Sequence, residues 1–122
     1  MTGVAAQTLG GRRVLLVEDE YFLADDLAKA LAELGAEVVG PVASVDDALD
    51  LIEAGERIDA AVLDLNLGGE MSTRVADALE ERGVPFVFAT GYDAAAIPPR
   101  HAGVPRCEKP VSPEGILRFL LR

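Results

Sequence analysis

The stretch Ala60-Ala61-Val62-Leu63-Asp64-Leu65-Asn66-Leu67 decides the fold, because it is an apolar run that carries an acid and is followed by Gly68-Gly69. A short apolar run of this kind is typical of a strand covered on both faces of a sheet. The two glycines indicate a turn directly behind it. Such a strand holds the carboxylate of Asp64 rigidly at its carboxyl end. Its function then depends on which other side chains of the chain lie next to it.

Outward from this stretch, apolar runs alternate with segments of helical period. Five strands are predicted, at 13–17, 36–42, 58–65, 84–89 and 106–108. Helices are predicted at 21–34, 44–54 and 72–82, and a last one starts at Ser112-Pro113-Glu114, where Ser is a good N-cap and Pro suits the first helical position. After the fourth strand, Pro98-Pro99 stop any helix within about one turn. The sequence therefore predicts a shortened or disordered fourth helix, in a mobile segment.

Strand–helix alternation with short connections predicts an α/β fold, a five-stranded, doubly wound parallel sheet with helices on both faces. In such folds, ligands bind outside the carboxyl ends of the strands. Polar residues follow four of the predicted strands at those ends, namely Glu18-Asp19, Asp64, Thr90 and Lys109. We therefore expect these side chains to lie close together.

The chemistry of these residues is complementary. Three carboxylates, those of Glu18, Asp19 and Asp64, repel one another when close, which favours a bound cation. An oxygen-only, carboxylate-rich site suits Mg²⁺. Lys109 adds a compact positive charge and Thr90 adds a hydroxyl donor. Together they predict a site that stabilises a transferring phosphoryl group, with Asp64 as the nucleophile and Thr90 and Lys109 as its catalytic partners.

From Arg13 onward, the sequence resembles the receiver domains of two-component response regulators, at Glu18-Asp19, Asp64, Thr90 and Lys109-Pro110. The resemblance implies a flavodoxin-like fold for residues 13–122, behind a flexible lead-in at 1–12 and with no output domain. It implies a phosphoprotein that takes a phosphoryl group from a sensor histidine kinase onto Asp64, as a signalling domain that catalyses only its own phosphorylation and dephosphorylation.

The same resemblance assigns roles to the site residues. It implies that Asp19, Asp64 and the backbone carbonyl of Asn66 hold Mg²⁺, with Glu18 acting largely through water. Lys109 is expected to pair with the phosphoryl oxygens, and Thr90 to move toward the phosphoryl group and report its presence.

A narrower likeness lies in Phe88-Ala89-Thr90-Gly91-Tyr92, which resembles the motif of the FAT GUY subgroup of single-domain regulators. That subgroup is linked with histidine kinases of the HWE type in alphaproteobacteria. It implies a cytoplasmic phosphorelay protein that contacts a downstream protein or a phosphotransfer protein, or that acts as a phosphate sink. One position departs from the family, because Arg106 stands where most receivers have an aromatic residue three positions before the lysine.

Composition limits the possible partners. The chain has 122 residues, enough for one domain with a continuous core. A formal net charge of −10 weighs against binding nucleic acid or an anionic membrane surface. No apolar run is long enough for a membrane span and no secretory signal is visible. The single cysteine, Cys107, cannot form an internal disulfide, which suits a reducing compartment.

Two other functions fit parts of the pattern. One is a Mg²⁺-dependent phosphohydrolase with Asp64 as nucleophile, although Asn66 stands at the next inward position and cannot protonate a leaving group. The other is a dinucleotide-binding module, although Gly10-Gly11 precede the first strand instead of following it. Three further side chains are expected to be structural, with Tyr21 and Phe22 packing in the first helix and His101 lying in a surface loop.

Overall fold

A computed structural model describes residues 9–91, 94–109 and 111–120. The strands in these residues are β1 (Arg13–Val17), β2 (Glu37–Val42), β3 (Ala60–Asp64), β4 (Asn66–Leu67), β5 (Glu70–Met71), β6 (Phe86–Thr90) and β7 (Arg106–Glu108). The main sheet has five parallel strands in the order β2-β1-β3-β6-β7, which confirms the predicted architecture. The helices are α1 (Tyr21–Glu33), α2 (Val45–Glu53), α3 (Thr73–Glu81) and α4 (Pro113–Leu120).

The sheet separates two layers of core, because successive side chains of a strand point to opposite faces. On one face, Leu15 and Leu63 pack with the buried residues of α2 and α3. On the other, Leu16 and Val62 pack with Leu27 and Leu31 of α1 and with Ile116 of α4. The central strands are therefore apolar on both faces, as the continuous runs in the sequence predicted. Among the described residues, no helix combines the length and apolar character needed to span a membrane.

Most predicted boundaries move by one or two residues. Strand β3 begins at Ala60 and β6 at Phe86, each two residues after the predicted start. The expected N-caps are present, since Ser44 Oγ accepts from the Asp47 N–H at 3.1 Å and Ser112 Oγ accepts from the Gly115 N–H at 3.0 Å.

The fourth helix is shortened, as predicted. Two 3₁₀ turns, Ala94–Ala96 and Pro99–His101, occupy the connection from β6 to β7. Pro98 precedes the second turn in an extended conformation, which is the backbone that a following proline favours. The two adjacent prolines therefore explain why the helical turns in this connection are short.

The sequence did not predict the small hairpin of β4 and β5. Asn66 pairs with Met71 and Leu67 pairs with Glu70, and both residues of the intervening turn have positive φ, Gly68 at 62° and Gly69 at 96°. Two such glycines suit a tight hairpin turn, which is the signal that could have revealed it. The Gly69 N–H also donates to Asn66 Oδ1 at 2.8 Å, which fixes the turn.

The amino-terminal segment is attached earlier than expected. Residues 1–8 of the predicted flexible lead-in lie outside the described residues. From Leu9 the chain is bound to the body of the fold, since Leu9 is buried and its N–H donates to the Leu34 carbonyl. The Gly11 N–H donates to the Gly35 carbonyl at 2.7 Å. The lead-in is therefore attached to the fold at Leu9 and Gly11, and its flexibility stays a prediction.

Gly40 gives a test of the packing between β1 and β2. It has φ of 96°, and an added Cβ would lie 2.8 Å from the Val42 nitrogen and 3.0 Å from the Leu16 carbonyl oxygen. Gly55 has φ of 81° with nothing within 4 Å of an added Cβ. We expect Gly55→Ala to cost about 1–2 kcal/mol in the free energy of unfolding, because only the backbone conformation is unfavourable.

We expect Gly40→Ala to cost at least about 1 kcal/mol more than Gly55→Ala, since the strand backbone must also shift. Denaturant unfolding of both variants measures the difference. Equal losses would show that the backbone around Gly40 relaxes without a further cost in free energy.

Candidate functional site

The carboxyl ends of four neighbouring strands bring the predicted residues to one edge of the sheet. Asp64 and Thr90 are the last residues of β3 and β6, while Glu18 and Lys109 directly follow β1 and β7. The strands are in register at this edge, where Asp64 pairs with Ala89 and Thr90 pairs with Glu108. Parallel pairing thus brings side chains spread between Glu18 and Lys109 of the sequence into one local cluster.

The three acids converge as predicted. Glu18 and Asp64 are buried, with 3% and 2% of their surface exposed, and Asp19 is exposed. One carboxylate oxygen from each lies within 4.8 Å of the other two. Two backbone groups hold the buried pair, since the Glu20 N–H donates to Glu18 Oε2 at 3.1 Å and the Asn66 N–H donates to Asp64 Oδ1 at 3.3 Å.

The pKa of Glu18 shows that bringing the acids together disfavours its ionised form. The pKa of Glu18 is raised from 4.5 to about 7, mainly by burial and in addition by the negative charge of Asp64, against the hydrogen bond from the Glu20 N–H. A buried carboxyl group next to a second carboxylate is therefore poised to bind a cation in place of a proton.

Lys109 supplies a positive charge to the same cluster. Its Nζ lies 2.8 Å from Asp64 Oδ2 and 3.9 Å from Glu18 Oε1. Partial burial opposes the charge on Lys109, but the hydrogen bond to Asp64 and the negative charges of Asp64 and Glu18 give its pKa a net rise. The ammonium group is consequently held in its protonated form beside Asp64.

The hydroxyl of Thr90 is available to bind a ligand. Its side chain is buried, and among the described residues Oγ1 has no hydrogen-bond partner. Its backbone carbonyl accepts from the Lys109 N–H at 2.7 Å, so Thr90 and Lys109 are tied together. A buried hydroxyl without a hydrogen-bond partner costs free energy, and a ligand oxygen that accepts its hydrogen bond removes that cost. The Thr90 hydroxyl is therefore suited to donate to an incoming oxyanion.

The residues present fit a magnesium ion. Three carboxylates with exposed Asp19 at the rim leave room for the waters that Mg²⁺ retains. Asn66 Oδ1 accepts from the Gly69 N–H, and the ligand that the resemblance implies at this position is the Asn66 backbone carbonyl. Gly68 borders the acids as well, because an added Cβ there would lie 3.7 Å from Asp19 Oδ2. The hairpin that the sequence did not predict therefore flanks the metal-binding acids.

Two expectations about neighbouring aromatic residues were wrong. Tyr21 and Phe22 were expected to pack in the first helix, but they are exposed by 74% and 76%. Their rings form an edge-on pair with centroids 5.3 Å apart, directly after the acids at 18–20. The buried face of α1 consists of Ala24, Leu27 and Leu31, and the pair lies in the first turn before that face begins.

A groove of about 1080 Å³ lies away from this chemistry. It is lined by residues at the amino ends of the strands, among them Asp59, Pro85 and Pro105, and none of its described lining residues belongs to the acidic cluster. A phosphohydrolase needs its substrate cavity at the nucleophile, and this groove lies at the opposite edge of the sheet from Asp64.

The fold and the site together can be compared with known proteins. SdrG from Sphingomonas melonis Fr1 has a solution structure that is 42% identical in sequence, covers 93% of this chain and 98% of that chain, and superposes with a TM-score of 0.78. A structure of the BeF3-activated conformation of SdrG, from Pseudomonas melonis Fr1, is 43% identical, covers 93% and 95% of the two chains, and has a TM-score of 0.73.

A more distant relative carries a metal at the corresponding kind of site. The receiver domain of the sensor histidine kinase PA1611 from Pseudomonas aeruginosa PAO1, solved with a magnesium ion in its active-site cleft, is 25% identical, covers 92% and 96% of the chains and has a TM-score of 0.78. Comparison with protein-family models and with curated proteins gives no match. The chain belongs to the response-regulator receiver family, whose members are phosphoacceptor domains of two-component signalling.

The raised pKa of Glu18 predicts a pH dependence of stability in metal-free buffer. The pKa is higher in the folded than in the unfolded state, so the folded protein binds more protons between pH 4.5 and about 7. Glu18 therefore makes the free energy of unfolding fall as pH rises through this interval. We expect Glu18→Gln to flatten that fall, and urea unfolding at a series of pH values with a chelator present measures it. Identical pH profiles for both proteins would contradict the raised pKa.

Proposed function

We propose that this protein takes a phosphoryl group from a histidine kinase onto Asp64, with Mg²⁺ bound by the neighbouring acids. The observation that carries the proposal is the convergence of Glu18, Asp19, Asp64 and Lys109 at one edge of the sheet, with atoms of the acids within 4.8 Å and Lys109 Nζ 2.8 Å from Asp64. Membership of the receiver family supports the same conclusion.

In the transfer step, an Asp64 carboxylate oxygen attacks the phosphorus of a phosphohistidine. The new O–P bond forms as the P–N bond breaks, and the kinase imidazole leaves with the electron pair and takes up a proton. Asp19, Asp64, the Asn66 carbonyl and, through water, Glu18 would hold Mg²⁺, which would supply positive charge to the phosphoryl oxygens. Acids that repel one another in the absence of metal would then be paired with a cation.

Lys109 and Thr90 complete the proposed site. Before transfer, the Lys109 ammonium group pairs with Asp64 Oδ2. After transfer, it pairs with a negatively charged phosphoryl oxygen. The Thr90 hydroxyl, without a partner among the described residues, donates to another phosphoryl oxygen. Because the Thr90 carbonyl also accepts from the Lys109 N–H, movement of either residue affects the other.

The output of the site is proposed to be a changed protein surface. The protein acts in the cytoplasm on a downstream or phosphotransfer protein, or draws phosphate away from a shared kinase as a sink, and it has no other enzymatic activity. The kinase is of the HWE type, a proposal supported by the sequence Phe88-Ala89-Thr90-Gly91 at the end of β6. A relative 43% identical to this chain has been solved in a BeF3-activated conformation, which supports a switch.

Labelling with acetyl phosphate tests the acceptor. With Mg²⁺ present, we expect the wild-type protein and the matched control Asp50→Asn, an exposed acid of α2, to form an acid-stable, base-labile acyl phosphate. We expect Asp64→Asn to lose at least about 99% of this label, because the nucleophile is removed. Intact-protein mass spectrometry detects the added phosphoryl group. Equal labelling of Asp64→Asn, or catalytic turnover of phosphoesters, would overturn the proposal.

The exposed aromatic pair at the start of α1 provides a test of kinase contact. Tyr21 and Phe22 lie beside the acids and expose an edge-on pair of rings, a composition typical of protein interfaces. We expect the double variant Tyr21→Ala/Phe22→Ala to slow phosphotransfer from a kinase by about 30-fold, the effect of losing one strong contact of about 2 kcal/mol. Labelling by acetyl phosphate, which needs no protein contact, should be unchanged.

The control for this test is Lys29→Ala, an exposed residue on the same helix. It should leave both rates unchanged. A double variant that loses acetyl phosphate labelling as well would show that the aromatic residues support the site itself and not the kinase contact.

A further inference from the structure

His101 lies in a setting that the phosphoacceptor site does not use. It ends the second 3₁₀ turn and is completely buried, so the expectation of a surface loop residue was wrong. The rings of Phe86 and Phe88 lie edge-on to it, with centroids 6.4 and 6.1 Å away. Both imidazole nitrogens face carboxylates of α3.

The first of these contacts fixes the imidazole. His101 Nε2 lies 2.9 Å from Asp77 Oδ1. The Arg100 guanidinium donates two hydrogen bonds to Asp77, at 3.0 and 3.1 Å, and thereby lowers the pKa of the Asp77 carboxyl. Because the ionised Asp77 only accepts hydrogen bonds, His101 Nε2 carries a proton and donates it. In the neutral imidazole, Nδ1 then carries the free electron pair.

The second nitrogen is left without a partner. His101 Nδ1 is buried and has no hydrogen bond among the described residues, and the carboxylate oxygen Oε1 of Glu80 lies 3.4 Å from it. An electron pair facing a carboxylate is repulsive unless a cation lies between them. The separation is longer than the 2.7–3.2 Å of an N–H···O hydrogen bond. It matches the distance of about 3.4 Å between two ligand atoms of a tetrahedral zinc ion, whose metal–ligand bonds are about 2.0–2.1 Å.

We propose that His101 Nδ1 and a Glu80 carboxylate oxygen bind a zinc ion, with Asp77 as the positioning residue that orients the imidazole. Asp77, Glu80 and His101 lie close together, since each has a carboxylate oxygen or imidazole nitrogen within 4.8 Å of those of the other two. The Glu80 side chain is half-exposed, which leaves water the remaining coordination positions. A carboxylate that accepts from the far nitrogen of a zinc-bound histidine is a recurrent arrangement in zinc sites.

The zinc site differs in chemistry from the acidic cluster at Asp64. A nitrogen ligand favours Zn²⁺, whereas the oxygen-only cluster favours Mg²⁺. It also joins different elements, because zinc here would fasten the connection between β6 and β7 to helix α3. The segment that follows Thr90 would then be held at its far end by a metal.

The experiment uses the untagged full chain, whose single histidine makes every imidazole signal that of His101. Zinc is titrated at pH 7.5 with Mg²⁺ in excess to occupy the acidic cluster, and imidazole ¹⁵N resonances and calorimetric heats are recorded. We expect zinc to shift the Nδ1 resonance while Nε2 stays protonated.

Variants on one helix assign the ligands. Glu80→Gln should lower the zinc association constant at least about tenfold, and Asp77→Asn should lower it about 10–100-fold, as for other carboxylates that orient a metal-bound histidine. Glu81→Gln, one residue further along α3, should leave it unchanged. An imidazole that is protonated on both nitrogens and unchanged by zinc would overturn the proposal, because the cation facing Glu80 would then be a proton. Equal zinc affinity in the Glu80 and Glu81 variants would overturn it as well.

Discussion

Mutual repulsion of carboxylates, brought together by parallel strand pairing, is the interaction on which this site depends. Glu18 and Asp64 are each at most 3% exposed, so water cannot screen their charges, and the pKa of Glu18 rises to about 7. Lys109 offsets one charge through its 2.8 Å contact with Asp64. A divalent cation at the acids would neutralise the remaining negative charge and would also offset the charge that a phosphoryl group adds at Asp64.

The connection from Thr90 into β7 departs from most receivers at Arg106. In most receivers an aromatic ring stands at the position of Arg106. Here Arg106 is exposed, lies opposite Phe88 in the strand register, and donates to the Ala102 carbonyl at 3.2 Å. An exposed guanidinium cannot occupy the space under Thr90 as a buried ring would. The contacts of Arg100 and His101 with Asp77 hold the same connection against α3, which gives it a second attachment.

Several features could be read from local patterns. The strand ends that carry Asp64 and Thr90 follow apolar runs, and the N-caps Ser44 and Ser112 precede helical periods. The hairpin at Gly68-Gly69 was also open to prediction, because paired glycines at positive φ suit a two-residue turn. It was not predicted, because each of its strands has only two residues and shows no alternation of apolar and polar side chains.

By itself the sequence determined the order of strands and helices along the chain, the residues at the strand ends and the resemblance to the receiver family. These depend on short-range periodicity and on residue types, both of which are local. Only the tertiary structure decided that His101 is buried, since its carboxylate partner Asp77 lies 24 residues earlier on another element. It alone decided that Tyr21 and Phe22 are exposed, because periodicity identifies the inward face of α1 but not where its first turn lies relative to the sheet. It also set the raised pKa of Glu18, which depends on burial and on a charge brought near by strand pairing.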